Sequence, residues 1–164
     1  QAMLELMADQ FASNYRLGRV AIPQLISNKD GTLPKLGAAY VRYSDDNSNP
    51  RSLNQQLELI LKRAAEGKVF IPWEFVFADS AVTATQAMRR GYRLVKLLIE
   101  QVGHRLSHLF VDELGRVNRR LIESRRLYDL VQQFGCRLMG VSDSFDSNSD
   151  NSKLLLGMLS MINE

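Results

Sequence analysis

Several residue types are scarce in this 164-residue chain, and each scarcity excludes a class of protein. The single cysteine, Cys136, rules out an internal disulfide framework and favours a reducing compartment, the cytoplasm. Because Cys136 begins a short apolar run, we expect a buried structural thiol rather than a reactive one. No apolar run approaches the ~20 residues of a membrane-spanning helix. The first 16 residues contain acids and lack the basic start and long apolar stretch of a secretory signal.

Histidine is also scarce, with only two residues. His104 and His108 have the i, i+4 spacing of metal ligands on a helix, but Gly103 and the apolar run that follows argue against a helix there. No third ligand is near in the sequence. We therefore expect two surface histidines and no metal site.

Positive charge is supplied mainly by arginine. The net charge of +3 is too small to indicate nucleic-acid binding by itself, but arginine outnumbers lysine fifteen to six, and ten arginines lie between Arg89 and Arg137. Arginine recognises phosphate through a planar fork, whereas lysine acts as a hydrated point charge. The composition therefore favours a phosphate-containing ligand, although Arg120, Arg125 and Arg126 could equally form the solvated face of a helix.

Alternating strand and helix patterns predict an α/β domain. A helix over 2–16 and a mixed linker to residue 35 come first. Strands are then expected at 36–43, 69–78, 106–111 and 137–141. Helices are expected at 53–66 (ended by Gly67), 90–102, 120–134 (ended by Gly135) and 153–162, with a polar loop over 142–152. This order predicts a mainly parallel central sheet with helices on both faces and a site beyond the carboxyl ends of the strands.

Candidate catalytic residues follow two of the predicted strands. The first strand leads into Arg42 and Ser44, and a serine there is either a turn residue or a nucleophile. Arg116 and Arg119, at i and i+3, can face one side of a helical turn, where they form either a surface pair or a phosphate clamp. Together these residues suggest a hydroxyl that attacks a phosphate held by guanidinium groups.

Five motifs in this order and spacing resemble the catalytic domain of the serine site-specific recombinases, the resolvase/invertase family. The resemblance runs from about Gly37 to the end of the chain. Each motif is weak alone, and the combination is specific. The matching segments are Tyr40 to Ser44 (Tyr-x-Arg-x-Ser), Ser52 to Gln56 (Ser-Leu-x-x-Gln), Phe77 to Asp79 followed by Arg89 to Gly91, Arg116 to Arg119 (Arg-x-x-Arg), and Asp143 to Leu159, similar to the start of the long dimerisation helix.

The resemblance implies a reaction in which Ser44 attacks a DNA phosphodiester and forms a 5′-phosphoserine link. Energy is conserved in that bond, so rejoining needs no nucleotide cofactor. The implied reaction also requires no metal. Four arginines would neutralise the phosphate. Arg90 is an alternative match for Arg89, and Asp79 is alternatively a turn cap. The implied catalytic set is Tyr40, Arg42, Ser44, Gln56, Asp79, Arg89, Arg116 and Arg119.

The resemblance also implies partners and a domain organisation. We expect residues 1–35 to form a helix and linker, and residues 36–164 to form the catalytic domain, ending within the dimerisation helix, with a DNA-binding portion beyond it. The last predicted helix has almost no polar face, which favours a helix packed on its own domain and on a second subunit over a core helix of a monomer. The expected partners are double-stranded DNA, a second subunit in a homodimer, and a tetramer in the synaptic complex, as in mobile-element recombination.

One departure from the family pattern leaves the activity open. The family usually has an aspartate directly before the first arginine of Arg-x-x-Arg, and here that position is Gly115. Either Asp112 or Glu113 supplies the acid from a shifted backbone, or the site is weakened. A catalytically inactive recombinase-like module that oligomerises or regulates is therefore the alternative. A flavodoxin-like binding domain is a third hypothesis, but no phosphate-cradling glycine loop follows the first strand.

Overall fold

A computed structural model describes residues 2–16, 24–42, 53–79, 90–112, 121–141 and 145–147. The helices in these ranges are α1 (Ala2–Arg16), α2 (Leu53–Glu66), α3 (Arg90–Val102) and α4 (Leu121–Gln133). The strands are β1 (Lys35–Arg42), β2 (Val69–Phe70), β3 (Val76–Asp79), β4 (His108–Val111), β5 (Arg137–Gly140) and β6 (Phe145–Asp146). Within this described part, no helix has the length and apolar character to cross a membrane.

The sheet is mainly parallel, as the sequence predicts. Strand β1 pairs with β2 and β3 along one side and with β4 along the other, and β4 pairs with β5, all in parallel. Strand β6 is antiparallel to β5. The register places Arg42 opposite Asp79, and Tyr40 opposite both Phe77 and Val111. The carboxyl ends of β1, β3 and β4 therefore lie at one edge of the sheet.

Helices cover both faces of the sheet, which confirms the predicted α/β architecture. Successive residues of β1 point to opposite faces, so Ala38 and Tyr40 enter one core cluster while Ala39 and Val41 enter the other. The first cluster is completed by residues of α1, α3 and α4, and the second by residues of α2. The helical residues buried on the two faces include Phe11, Leu98 and Val131 in the first cluster and Leu57, Ile60 and Ala64 in the second.

The predicted strand over 69–78 is wrong in its continuity. Two short strands, β2 and β3, are separated by a 3₁₀ turn at Trp73–Phe75. Pro72 directly precedes this turn with φ −66°. Because proline has no N–H for a ladder hydrogen bond, the pairing with β1 stops there and resumes at Val76.

The ends of α2 and α4 differ in mechanism. Gly135 follows α4 with φ +73°, the left-handed conformation expected of a glycine there. After α2 it is Lys68, with φ 57°, and not Gly67, that adopts this conformation. The ammonium of Lys68 also forms a 2.5 Å ion pair with Asp30, and this bond holds the pKa of the Asp30 carboxyl well below its usual range. The linker before β1 is thereby tied to the α2–β2 turn.

Part of the predicted polar loop at 142–152 is a strand. Arg137 on β5 donates through Nε to Oδ1 of Asp146 at 2.7 Å, and its Nη2 also contacts the second carboxylate oxygen. This hydrogen bonding raises the pKa of Arg137. The hydroxyl of Ser147 accepts a 2.9 Å hydrogen bond from the N–H of Leu138. The predicted helix at 153–162 lies outside the described residues.

Burial decides the state of Cys136 and His108. Cys136 is buried, as expected, and burial raises the pKa of its thiol to about 12. The expectation of two surface histidines is wrong for His108, which is buried in β4 with its ring stacked on Phe110 at 5.3 Å between centroids. Burial, assisted by the positive charge of Arg137, lowers the pKa of His108 to about 4. His104 is exposed.

Candidate active site at the carboxyl rim

Polar side chains gather where β1, β3 and β4 end, an edge that we call the carboxyl rim and define by Arg42, Asp79 and Asp112. Arg42 is half-buried and lies opposite Asp79 in the β1–β3 ladder. Asp79 and Asp112 are both buried. Burying carboxylates is unfavourable unless they are hydrogen-bonded, so their concentration at one end of the sheet marks a candidate site. The position agrees with the general placement of ligands in parallel sheets.

Asp79 joins three elements through hydrogen bonds. Its Oδ2 accepts a 2.6 Å bond from the hydroxyl of Tyr40 on β1 and a 2.9 Å bond from the N–H of Tyr92. Its Oδ1 accepts a 2.8 Å bond from the N–H of Gly91. The carboxylate thus satisfies amide groups in the first turn of α3 that have no partner within the helix, and its charge complements the positive end of the helix dipole. Asp79 is therefore a helix cap supplied by a neighbouring strand.

Gly91 makes this capping possible. A Cβ at position 91 would lie 2.6 Å from the carbonyl oxygen of Ala78 and 3.1 Å from Cγ of Asp79. Backbone atoms cannot yield as a flexible side chain can, so only glycine permits α3 to approach β3 this closely. The sequence-based reasoning gave Gly91 no role. The available signal was a glycine in the first turn of a helix that follows a strand ending in aspartate.

Gln56 fixes the backbone of Arg42 at the end of β1. Its amide group donates a 2.9 Å hydrogen bond to the carbonyl oxygen of Arg42, and its Oε1 accepts a 3.2 Å bond from the Arg42 N–H. Gln56 is buried on α2. Its side chain therefore makes the two hydrogen bonds to Arg42 that a neighbouring strand would make at the end of β1. Arg42 lies two positions before Ser44 in the sequence.

The structure brings together four members of the predicted catalytic set: Tyr40, Arg42, Gln56 and Asp79. The other four, Ser44, Arg89, Arg116 and Arg119, lie outside the described residues, as do Glu113 and Gly115. Three of these residues are close in the sequence to described parts of the site. Ser44 comes two residues after Arg42, Arg89 directly precedes α3, and Arg116 comes four residues after Asp112.

Comparisons with known proteins identify the family of this chain and support its fold. The family model for the resolvase N-terminal domain matches residues 37–164. The N-terminal catalytic domain of TP901-1 integrase is similar, with a TM-score of 0.64 and 22% identity over 79% of this chain and 94% of that chain. A resolvase family site-specific recombinase from Streptococcus pneumoniae has a TM-score of 0.63 and 17% identity over 78% and 87%, respectively. At these identities the structural likeness shows the fold alone. No curated protein sequence matches significantly.

Proposed function

The chain belongs to the resolvase family of serine recombinases, and on this basis we propose that it carries out site-specific recombination of DNA. The observation that carries the proposal is the in-register placement of Arg42 opposite Asp79 at the carboxyl rim. The hydrogen bonds of Gln56 to the Arg42 backbone and of Tyr40 to Asp79 support it. These contacts hold the end of the strand that precedes Ser44 and the start of the helix that follows Arg89 in the sequence.

In the proposed reaction, Oγ of Ser44 attacks a DNA phosphorus atom. The P–O bond to the 3′ oxygen breaks, that oxygen takes up a proton, and a 5′-phosphoserine remains. Attack by a 3′-hydroxyl of another strand reverses the step and releases the serine. Each step exchanges one P–O ester bond for another, so no nucleotide is consumed.

Arginine supplies the electrostatics of this proposal. Arg42, Arg89, Arg116 and Arg119 stabilise the negative charge on the equatorial phosphoryl oxygens. A nearby guanidinium group also lowers the proton affinity of Ser44. Asp79 has a positioning role in this proposal, because its two oxygens accept three hydrogen bonds from neighbouring elements.

The test is covalent capture of DNA by the full-length protein. Nicked or gapped duplexes trap the intermediate because the freed strand diffuses away before rejoining. We expect an adduct that survives denaturation, with the phosphate mapped by mass spectrometry to the peptide containing Ser44. The adduct should be lost in Ser44→Ala and kept in Ser48→Ala, a matched change in the same segment. An adduct that persists in Ser44→Ala would contradict the proposed nucleophile.

A second candidate function, a catalytically inactive module, is favoured by Gly115, which stands where the family usually has aspartate. The amount of adduct formed by the Gly115→Asp variant distinguishes the two proposals. If the missing carboxylate weakens the site, this variant forms more adduct than the wild type. If Asp112 supplies the acid, Asp112→Asn abolishes the adduct and Gly115→Asp has little effect. A full-length chain that forms no adduct even as Gly115→Asp, yet still self-associates, supports the inactive module.

Self-association is the proposed context of either function. The segment from Leu154 to Ile162 is almost entirely apolar, and burial of such a surface between subunits is favourable. We propose a dimer that pairs into a tetramer on double-stranded DNA. Sedimentation velocity with and without DNA measures both steps, and Leu155→Glu should shift the protein toward monomer.

A further inference from the structure

Helix α1 precedes the residues matched by the family model, yet it packs on β3 and α3, the strand that carries Asp79 and the helix that Asp79 caps. Phe11 is only 4% exposed, and the edge of its ring contacts the ring of Phe77 with centroids 5.2 Å apart. Phe77 lies on β3, two residues before Asp79. The helix is therefore anchored on the strand that supplies the cap of α3.

A second contact joins α1 to α3, the helix that Asp79 caps. Oδ1 of Asp9 lies 2.5 Å from Nη1 of Arg90, the first residue of α3. The first turn of α3 contains no acidic residue of its own. Its positive end is thus complemented by two carboxylates from elsewhere, Asp79 from β3 and Asp9 from α1. Helix α1 therefore contacts two of the three elements that the Asp79 carboxylate joins, β3 and α3.

The ion pair also distinguishes two adjacent arginines. Arg89 and Arg90 are consecutive, and the sequence alone allows either to serve as the phosphate ligand. The guanidinium group of Arg90 is engaged by Asp9 on α1. Because its partner is a protein carboxylate, this contact favours a positioning role for Arg90, and it favours Arg89 as the phosphate ligand of the proposed function.

We propose that α1 is a positioning element of the active site, in which Asp9 holds Arg90 and Phe11 holds Phe77, so that the first turn of α3, which follows Arg89 in the sequence, is kept in place on β3. The role of Arg89 rests on the proposed function, whereas the effect of α1 on the first turn of α3 does not. Asp9 and Arg90 are 64% and 44% exposed. Loss of this exposed ion pair should therefore change the rates of amide exchange and adduct formation by only about three-fold. Reversal of one of its charges should change these rates more.

The experiment uses the full-length protein with Asp9→Arg, Arg90→Asp and the double variant that exchanges the two charges. Gln10→Arg on α1 and Arg93→Asp on α3 are the matched controls, since both residues are exposed on the same helices. Two quantities are measured. Hydrogen exchange at the Gly91 and Tyr92 amides, without DNA, reports the first turn of α3. The single-turnover rate of adduct formation, compared with the Kd for DNA, reports catalysis separately from binding.

We expect Asp9→Arg to exchange these amides about three-fold faster or more and to form adduct more slowly at saturating DNA. The charge-exchange variant should recover both values to within about two-fold, and the controls should change neither. Phe11→Leu should also increase the rate of hydrogen exchange at the Gly91 and Tyr92 amides.

Unchanged hydrogen exchange in Asp9→Arg would overturn the positioning role of α1. Loss of the adduct in Arg90→Asp without recovery in the exchange variant would also overturn it, because Arg90 would then be the phosphate ligand itself. If the wild type forms no adduct, the proposed function fails and Arg89 loses its assigned role. In that case the exchange measurements still decide whether α1 orders α3.

Discussion

The hydroxyl of Tyr40 donates a 2.6 Å hydrogen bond to the carboxylate of Asp79, although the two residues are 39 positions apart in the chain. The parallel register of β1 and β3 brings them together, since Tyr40 pairs with Phe77 and Arg42 pairs with Asp79. The bond is buried, and the same carboxylate caps α3. One side chain therefore couples the strand before Ser44 to the helix after Arg89.

Removal of the Asp79 carboxylate should be strongly destabilising. Asp79→Ala removes the acceptor of three hydrogen bonds, donated by the Tyr40 hydroxyl and the N–H groups of Gly91 and Tyr92, so we expect the free energy of unfolding to fall by about 2–3 kcal/mol. Asp79→Asn keeps one acceptor oxygen and should lose less. Urea denaturation measures the change, and Glu100→Ala, an exposed change on the same helix, is the control. Equal losses in Asp79→Ala and Glu100→Ala would contradict the capping role.

Gly91→Ala should destabilise the protein even though alanine is the better helix former. Alanine gains about 1 kcal/mol over glycine in a helix, but here its Cβ meets the Ala78 carbonyl oxygen at 2.6 Å. Such overpacking costs about 1–3 kcal/mol, so we expect a net loss of stability or a shifted α3.

Gly135 supplies the contrasting control for this prediction. A Cβ at Gly135 meets nothing within 4 Å, and its cost comes only from φ +73°. Asparagine tolerates that conformation, so Gly135→Asn should be milder than Gly135→Ala. No such rescue should occur at position 91. Thermal unfolding of the four variants Gly91→Ala, Gly91→Asn, Gly135→Ala and Gly135→Asn separates steric collision from backbone strain. A stabilised Gly91→Ala would show that the close approach to Ala78 is not maintained.

Gln56→Ala should affect both stability and the proposed reaction. It removes two hydrogen bonds to the Arg42 backbone, and we expect the free energy of unfolding to fall by about 1–3 kcal/mol because these part-buried carbonyl and amide groups lose both bonds. Adduct formation through Ser44 should slow more than DNA binding weakens. Gln55→Ala, at the adjacent exposed position, is the control. An adduct rate that falls equally in both variants would argue against a specific role for Gln56.

Stability should fall between about pH 6.5 and pH 4 because of His108. Burial lowers the pKa of this imidazole to about 4 in the folded protein, whereas its pKa in the unfolded chain is about 6.5. Over this window the unfolded state binds the additional proton, so the free energy of unfolding decreases as the pH falls. Urea midpoints measured across the window should show a smaller slope for His108→Gln. His104→Gln, an exposed change, should keep the wild-type slope, and an unchanged slope in His108→Gln would contradict the assignment.

The hydrophobic periodicity predicted most elements within one or two residues. The strand expected at 36–43 is β1 at Lys35–Arg42, and the helix expected at 90–102 is α3 at Arg90–Val102. These predictions succeed because an amphipathic face is encoded by neighbouring residues. The prediction failed where a local signal was misread. Pro72 interrupts the expected strand at 69–78, and Asp146 lies in a strand despite its polar neighbours because Arg137 pairs with it.

The sequence by itself determined the alternation of strands and helices, the motif order, and hence the family, since each of these is written in residues close together along the chain. Only the tertiary structure decided what Asp79, Gly91, Asp9 and His108 contact. Their partners are distant in sequence, and the sheet register and helix packing that unite them depend on the whole core rather than on any local segment. That is why Asp79 could be singled out from its motif, but its role as the cap of α3 could be seen only once β3 and α3 were placed together.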